Sequence, residues 1–222
     1  MADDVTLDRT IAGLAERLKS ATSQMHVQAE RSGAIALLLH GALSRELYAL
    51  LLANLLPSYE AIEIGLRRWR DLPALHAIAQ TAVFRAEALR ADLTALASSG
   101  WTKRLPLLGE GRAYAARIEE ITGDDPTLLL AHAYVRYLGD LNGGQTLAKR
   151  LAASLDLGPE ALGFYRFDQI TDLTVFRRAY RLGFDQAGLN PAQDAKVIAE
   201  ARLAFGFNIA ISEAVVGVDI GC

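Results

Sequence analysis

A single cysteine, Cys222, stands at the very end of the 222-residue chain. One thiol excludes an intramolecular disulfide framework, and it also excludes a zinc site built from cysteines. A chain that relies on no disulfide is typical of the reducing cytoplasm. We therefore expect a cytoplasmic protein whose stability comes from a packed core.

The chain also lacks an excess of charge of either sign and any long apolar run. Its 23 Lys and Arg residues against 26 Asp and Glu residues give a net charge of -3, whereas general nucleic-acid binding needs a clustered basic excess. The N-terminal sequence MADDVTLDRT is acidic where a signal peptide is basic and then apolar. The runs AIALLL and LYALLLANLL, and the tail VVGVDIGC, are shorter than the about 20 residues that span a bilayer. These absences predict a protein that is not secreted, binds no nucleic acid and carries no membrane anchor.

What the sequence does contain is helical periodicity over most of its length. Hydrophobic residues make up 51% of the chain, and they recur at the spacing of one helix face, as in Ile11, Leu14 and Leu18. We predict an all-α single domain over residues 1–222, with a core from about residue 6 to residue 216. The predicted helices are 6–31, 34–40, 44–70, 74–98, 110–122, 126–155, 172–187 and 191–216.

Prolines mark several helix boundaries. The pairs Asp125-Pro126 and Asn190-Pro191 are typical of helix starts, with an N-capping side chain followed by proline in the first turn. Pro57 is expected to kink or interrupt the helix 44–70, because it lacks the N–H that a helix interior needs. The segments SSGWTKRLPLLGEG and LDLGPEALG are predicted to be connectors within the one domain.

The segment AHAYVRYLGDLNGGQ, residues 131–145, is the most informative part of the sequence. It places Gly139, Gly143 and Gly144 in a strongly helical stretch, where each glycine costs roughly 0.5–1 kcal/mol relative to alanine. Three glycines so close together indicate a bend, or a face that lets a flat ligand approach the backbone. Asp140, one turn after Arg136, is positioned to hold ordered water over such a ligand. A GxxxG contact from Gly139 to Gly143, which packs two helices closely, is an equal alternative.

Four histidines are candidates for a metal ligand: His26, His40, His76 and His132. An isolated histidine on a helix is more often a surface residue or a hydrogen-bonded core residue. His26 borders an apolar stripe, and Glu30 lies one turn later, where its carboxylate can orient the imidazole ring. We interpret His40 and His76, near a loop and a helix start, as ordinary polar residues.

Segment 131–145 resembles the distal-helix signature of the heme oxygenases, which reads close to AHAYxRYLGDLSGGQ, with Asn142 in place of the usual serine. A second segment, LKSATSQMHVQAE at 18–30, is similar to the proximal helix of that family and puts His26 at the iron-ligand position. The similarity continues to about Val216. The resemblance implies a helical bundle of the heme oxygenase type, with heme between a proximal helix and a kinked, glycine-rich distal helix.

The resemblance also implies the site residues. His26 is the iron ligand, with Glu30 beside it. The implied polar network on the distal side comprises Asp140, Tyr59, Arg136, Tyr137 and Asn208. The implied heme contacts, including cations and a tyrosine for the propionates, are Lys19, Tyr134, Gly139, Gly143, Gly144, Arg177, Arg181 and Phe205. Ser23 stands where several family members have another lysine, which leaves the orientation of the heme, and hence the bilin isomer, open.

His132 is the competing iron ligand. It lies two turns before Asp140 on the same helix, so both residues fall on roughly the same side. The iron ligand and the group that controls bound oxygen must lie on opposite faces of a porphyrin, which favours His26. Asp140, as a buried carboxylate beside an arginine, is expected to stay ionised and to order water.

By this resemblance, the protein is an enzyme that opens heme oxidatively to biliverdin, CO and ferrous iron. It uses O₂ and an external electron donor such as a ferredoxin, a flavodoxin or a reductase. Heme is both cofactor and substrate, and it is not attached covalently, because a CxxCH motif needs two cysteines. Asp140 acts through ordered water to supply protons while oxygen is activated.

Three other functions stay open at this point. A heme carrier or sensor shares the fold but has no need of a distal network. A di-iron carboxylate bundle needs Glu-x-x-His pairs, whereas the residues three positions before the histidines are Ser23, Leu37, Pro73 and Leu129. A helical interaction module binds no heme at all.

Overall fold

The computed structural model describes residues 12–218, and most of them are helical. The α-helices are α1 Leu14–Glu30, α2 Gly33–Leu39, α3 Arg45–Arg68, α4 Pro73–His76, α5 Ala86–Ala97, α6 Trp101–Arg104, α7 Gly109–Asp124, α8 Leu129–Ala133, α9 Gly139–Leu155, α10 Leu173–Asp185 and α11 Pro191–Val216. Short 3-10 turns span Thr81–Val83, Pro126–Leu128, Pro159–Ala161 and Gly163–Tyr165, and a π-helical turn spans Tyr134–Leu138. Between residues 12 and 218 there is no β-strand, so the all-α prediction is confirmed.

Helices α3 and α11 lie at the centre of the fold. α3 packs against α5 and α7, while α11 packs against α1, α2, α7 and α8. The apolar side chains between them form one core that extends from Leu14 to Val215. By length and composition α3 could cross a membrane, with a mean hydropathy of 1.3, but 83% of its apolar window is buried in the fold. The core of a folded domain accounts for that apolar sequence.

Capping side chains define the helix starts. The Asn190 side-chain oxygen accepts hydrogen bonds from the backbone N–H groups of Ala192 and Gln193, both at 3.0 Å, and the Asn190 backbone N–H donates to the Gln193 side-chain oxygen. This capping box confirms the predicted start of the last helix. Pro57 was expected to kink or interrupt its helix, and the interruption is wrong, because α3 runs through Pro57 without a break. Burial along nearly the whole of α3 outweighs the one backbone hydrogen bond that proline removes.

The predicted single helix over 74–98 is also wrong. The chain forms the short helix α4, a 3-10 turn at Thr81–Val83 and then α5. The cause is a distant cap: the Glu63 carboxylate, in α3, accepts hydrogen bonds from the backbone N–H groups of Arg85 and Ala86 at 2.6 and 2.7 Å. Satisfying those N–H groups starts a new helix at Ala86. The predicted first helix, 6–31, begins at Leu14 in the structure, and its residues 6–11 lie outside the described part.

The predicted helix 126–155 is continuous but not uniform. It starts as a 3-10 turn at Pro126, becomes α8, passes through the π-helical turn Tyr134–Leu138 and continues as α9. The irregularity that we expected at the glycines therefore lies one turn earlier. A π-helical turn inserts an extra residue per turn, often at a functional site, and this one carries Arg136 and ends directly before Gly139.

Candidate functional site

The distal helix, Leu129–Leu155, presents two of its glycines to open space. A Cβ atom built on Gly139 or Gly143 meets no described atom within 4 Å, and Gly139 is solvent-exposed next to the buried Asp140. The GxxxG alternative is therefore wrong, since no helix among residues 12–218 packs on these two positions. Gly144 differs, because its Cβ atom would lie 3.2 Å from Cδ1 of Tyr165. Gly144 packs against a side chain rather than opening onto free space.

Asp140 lies within a dense set of polar contacts. The Tyr59 hydroxyl donates a hydrogen bond of 2.6 Å to Oδ2 of Asp140. The Arg136 guanidinium donates to the same hydroxyl oxygen from Nε at 2.8 Å and from Nη2 at 2.6 Å, and it donates from Nη1 to the Asn208 side-chain oxygen. Arg136 Nη2 is 3.8 Å from Oδ1 of Asp140. Three different helices thus bring Tyr59, Arg136, Asp140 and Asn208 together.

Burial sets the electrostatics of this network. It raises the pKa of Asp140 above its ordinary value, and the charge of Arg136 and the Tyr59 hydroxyl only partly offset that rise. Burial alone lowers the pKa of Arg136, but Tyr59 and Asp140 raise it overall, so the guanidinium stays charged. The Asp140 carboxyl therefore exchanges its proton closer to neutral pH than an exposed aspartate does. Such a group is suited to passing protons to nearby water.

His26 lies on α1, away from the distal helix. Its side chain is 61% exposed, and Nδ1 lies 3.7 Å from Oε1 of Glu30, which is too long for a direct hydrogen bond. The edge of the imidazole faces Phe205, with ring centroids 6.1 Å apart. α1 and α9 both pack against α2 and α10 but make no extensive contact with each other. The accessible imidazole of His26 and the exposed glycines of α9 therefore lie on two different helices, which share α2 and α10 as neighbours.

A family model described as heme oxygenase matches residues 12–214. The chain belongs to the heme oxygenase family. Heme oxygenase 1 of Nostoc sp. is 33% identical over 199 residues, covering 89% of this chain and 84% of that protein. Human heme oxygenase 1 is 35% identical over 203 residues, covering 90% of this chain and 70% of that protein. The crystal structure of heme oxygenase-1 from Synechocystis sp. in complex with heme has a TM-score of 0.89 and 31% identity, and covers 93% of each chain.

The predicted family, fold class and enzyme class are thereby confirmed. This heme oxygenase cleaves heme, which is both its cofactor and its substrate. The residues present fit that ligand: a flat ring needs a face without side chains, which Gly139 and Gly143 provide. Between residues 12 and 218 no three His, Cys, Asp or Glu side chains come together as metal ligands. The di-iron alternative therefore has no structural support.

The cations that the resemblance assigned to the propionates lie on α1 and α10. Lys19 is exposed and Arg177 is partly exposed. Arg181 Nη2 forms an ion pair of 2.5 Å with Oε2 of Glu16, and a guanidinium has further N–H groups that can bind a second carboxylate. Burial raises the pKa of Tyr134, although a hydrogen bond with Thr22 lowers it in part. These side chains come from α1, the π-helical turn and α10, and the charge of Arg181 also lowers the pKa of Tyr134 in part.

Tyr137 departs from the predicted network. Its hydroxyl is buried and has no hydrogen-bond partner among the described residues. Its ring packs against Tyr59, with centroids 5.9 Å apart, and against Phe84. In this structure Tyr137 supports Tyr59 through its ring rather than contacting Asp140.

His132 belongs to a second polar cluster, which it forms with Tyr114 and Glu200. Its Nδ1 lies 3.2 Å from the Tyr114 hydroxyl and its Nε2 lies 3.1 Å from Oε1 of Glu200. Both ring nitrogens are engaged and the side chain is fully buried, so His132 would have to give up both contacts to bind a metal, which favours His26. His40 and His76 are exposed and approach backbone carbonyl oxygens, those of Ala36 and Arg70.

Sequence reasoning missed Tyr114 and Glu200, which connect this cluster to its surroundings. Burial raises the pKa of Tyr114 overall, although Asn208, which accepts from Arg136 in the Asp140 network, lowers that pKa in part. Glu200 is buried and accepts two hydrogen bonds from Arg117, at 3.0 and 2.7 Å. A signal did exist, since Glu200 shares a helix face with the apolar residues Val197, Ala201 and Ala204. A carboxylate on a buried face requires a partner.

Glu200 should make this heme oxygenase sensitive to acid. Burial alone raises the pKa of Glu200, but hydrogen bonds from His132 and Arg117 lower it to about 2, from an ordinary value of 4.5. Because the folded-state pKa lies below the unfolded one, the ionised carboxylate stabilises the fold above pH 4.5 and loses that contribution, about 3 kcal/mol, as the pH falls to about 2. Urea unfolding at a series of pH values measures the slope.

In Glu200→Gln the free energy of unfolding should lose the part of its pH dependence that comes from Glu200, whatever the overall stability of the variant. Glu120→Gln is the matched control. Oε2 of Glu120 lies 2.8 Å from Nη1 of Arg117, so the substitution removes the other carboxylate that pairs with Arg117, but the Glu120 side chain is 58% exposed. An exposed ion pair contributes little, so the control should keep the wild-type slope. Equal slopes in Glu200→Gln and wild type would contradict the assignment.

Proposed function

We propose that His26 binds the heme iron and that the distal helix covers the opposite face of the ring. The observation that carries this proposal is the pairing of an exposed imidazole on α1 with the open glycines of α9. Gly139 and Gly143 let the porphyrin approach the helix backbone, while Phe205 borders the ring on the His26 side. Glu30, 3.7 Å from the imidazole, orients it through a water molecule.

Asp140 is the proposed proton-transfer group. Heme supplies the iron that binds and activates O₂ and the carbon that is oxidised. Asp140, held by Tyr59 and flanked by Arg136, orders water in the cleft and passes protons to it. Asn208 fixes the guanidinium, and Tyr137 holds the Tyr59 ring from behind. These groups define where a proton is delivered.

The edge of the ring carries carboxylates, and we assign them to Lys19, Tyr134, Arg177 and Arg181. Cations on a partly exposed rim bind carboxylates through charge-assisted hydrogen bonds. Electrons come from an external donor such as a ferredoxin, a flavodoxin or a reductase, and we propose that the reaction takes place in the cytoplasm. The absence of a disulfide framework supports that location.

A turnover assay tests the proposal. The purified chain is loaded with hemin, given ascorbate in air and followed by absorbance, with chromatography of any pigment. We expect the Soret band to disappear as a bilin forms, and the chromatogram identifies its isomer. A heme that binds and keeps its Soret band would instead indicate a carrier or sensor. Failure to bind hemin would contradict the site itself.

Gly139→Ala should have opposite effects on the stability of the heme-free protein and on its affinity for hemin. The added methyl group meets no atom, so the heme-free protein should gain roughly 0.5–1 kcal/mol in the free energy of unfolding. Its affinity for hemin should fall roughly tenfold or more, because the methyl group stands where the ring approaches. Urea unfolding and hemin titration measure the two effects.

Gly123→Ala is the matched control. Gly123 is also helical, in α7, and a Cβ atom there likewise meets nothing within 4 Å. The control should gain similar stability and bind hemin like the wild type. If Gly139→Ala also bound hemin like the wild type, the open face of α9 would not be the ligand face.

A further inference from the structure

The 3-10 turn Gly163–Tyr165 supports the distal site from behind. Gln145 Nε2, on α9, donates a hydrogen bond of 2.7 Å to the backbone oxygen of Tyr165, and the Tyr165 ring packs against Gly144. Phe164 packs edge-on against Tyr59, with ring centroids 5.5 Å apart. The turn therefore contacts both the distal helix and the tyrosine that bonds Asp140.

One buried carboxylate holds this turn in place. Asp92, on α5, accepts the backbone N–H of Gly163 at Oδ1 and that of Phe164 at Oδ2, both at 2.8 Å. The Asp92 side chain is completely buried. A Cβ atom on Gly163 would lie 2.9 Å from Oδ1, so the close approach requires glycine. Two backbone hydrogen bonds and a tight contact leave the turn little freedom.

A second contact from α5 fixes the other end of the turn. The Arg85 guanidinium donates to the backbone oxygen of Arg166 and lies over the Phe167 ring, 4.2 Å from its centroid. Arg85 is the N-cap residue of α5, and Asp92 follows seven positions later, about two helical turns, so both project from a similar side. The turn is held by one cation and one anion from a single helix.

Burial makes the charge of the Asp92 carboxylate costly. Burial raises the pKa of Asp92 to about 6 from 3.8, even though the two N–H groups, Arg166 and Arg85 lower it. The tyrosines that face it, Tyr48 and Tyr165, supply no positive charge. Ionising Asp92 is therefore less favourable in the folded protein than in the unfolded chain. What the carboxylate provides at this position is the acceptor for two backbone N–H groups of the turn.

We propose that Asp92 is a positioning residue for heme cleavage, which fixes Tyr59 and the distal helix, and through them Asp140, by holding the turn Gly163–Tyr165. This inference rests on the proposed role of Asp140. The contacts run from Asp92 to the turn, from the turn to Tyr59 and Gly144, and from Tyr59 to Asp140. Asp92 itself acts without touching the heme.

The test compares Asp92→Asn with Asp172→Asn in the hemin-loaded full chain. Asp172 also accepts two backbone N–H groups, those of Thr174 and Val175, both at 2.9 Å, but it is an exposed cap of α10. Asparagine has only one side-chain oxygen, so in Asp92→Asn its NH₂ group faces one of the two backbone N–H groups of the turn. Two donors then face each other, and the turn shifts. The measurements are hemin affinity, kcat for bilin formation, and the pH midpoint of the visible-spectrum transition of the ferric heme.

Asp92→Asn should bind hemin within about twofold of wild type, lose roughly tenfold or more in kcat, and shift the pH midpoint. Asp172→Asn should match wild type in all three. An Asp92→Asn protein with the wild-type kcat and pH midpoint would overturn the inference. If wild type itself formed no bilin, the proposed function would fail instead, so the two failures are distinguishable.

Phe164→Leu is the second variant, in case Asp92→Asn does not fold. It keeps the backbone hydrogen bonds to Asp92 and an apolar side chain, but it removes the ring edge that contacts Tyr59. It should lower kcat and shift the pH midpoint in the same direction as Asp92→Asn. Wild-type values in Phe164→Leu would show that the turn does not act on Tyr59, which would overturn the inference.

Discussion

Asp140→Ala should still bind hemin but form biliverdin roughly a hundredfold more slowly than wild type, the loss typical of removing a proton-transfer group. The substitution removes the acceptor of the Tyr59 hydroxyl and the carboxylate beside Arg136. Water in the cleft then loses the group that orders it. We expect hemin to be diverted to peroxidase-type oxidation of added phenols, which a guaiacol assay measures alongside bilin formation.

Two further variants serve as comparisons for Asp140→Ala. Asp140→Asn keeps the shape of the side chain but not its charge, so a turnover between those of alanine and wild type would separate hydrogen bonding from proton exchange. Asn142→Ser alters an exposed residue on the same helix and should leave turnover unchanged. Normal bilin formation by Asp140→Ala would remove Asp140 from the mechanism.

Asp140→Ala should also destabilise the fold. Arg136 would keep its charge in a buried position while losing its nearest carboxylate, and an uncompensated buried charge costs several kcal/mol. Thermal unfolding of the heme-free protein measures this cost. Because hemin titration is carried out on the folded fraction, the loss of stability does not obscure the loss of turnover.

The helices with strong local signals were predictable from the sequence. The last helix, Pro191–Val216, has its signals next to each other in the sequence: the N-cap Asn190, the proline in the first turn and Gln193 of the capping box. The same holds for the continuous stretch from Pro126 to Leu155. Where local preference and tertiary packing agree, periodicity is sufficient.

The errors share a different cause, which is contact between residues distant in the chain. Glu63 ends the expected helix 74–98 by capping Ala86, and no glycine or proline between residues 77 and 85 signals that break. Pro57 was expected to kink or interrupt α3, but the helix is not interrupted, because it is buried against other helices. In both cases tertiary structure overrides a local preference.

In the site, too, some features were predictable from the sequence and others depend on distant parts of the chain. The resemblance selected Tyr59, Arg136, Asp140 and Asn208, and the structure brings these four together. It also grouped Gly144 with the two glycines that open onto free space, whereas Gly144 packs against Tyr165. Spacing along a helix does not reveal which neighbour covers each face, because that neighbour comes from elsewhere in the chain.

His26→Ala should fold like wild type but lose the absorption spectrum of imidazole-ligated heme. The His26 side chain is 61% exposed, so its removal should change the free energy of unfolding by less than about 0.5 kcal/mol. The loss of a ligand bond is, by contrast, a change in the coordination of the iron and is directly visible in the Soret region. Hemin titration followed by absorbance measures both affinity and ligation.

Added imidazole provides the decisive control for His26→Ala. Truncation leaves an imidazole-sized space that is open to solvent, so free imidazole should enter it and restore the wild-type spectrum, together with part of the bilin formation. His40→Ala, which removes another exposed histidine from the end of a helix, should need no such rescue. An unchanged spectrum in His26→Ala would mean that another side chain binds the iron. His132 would then have to leave both Tyr114 and Glu200 to do so, and a large loss of stability on hemin binding would reveal that rearrangement.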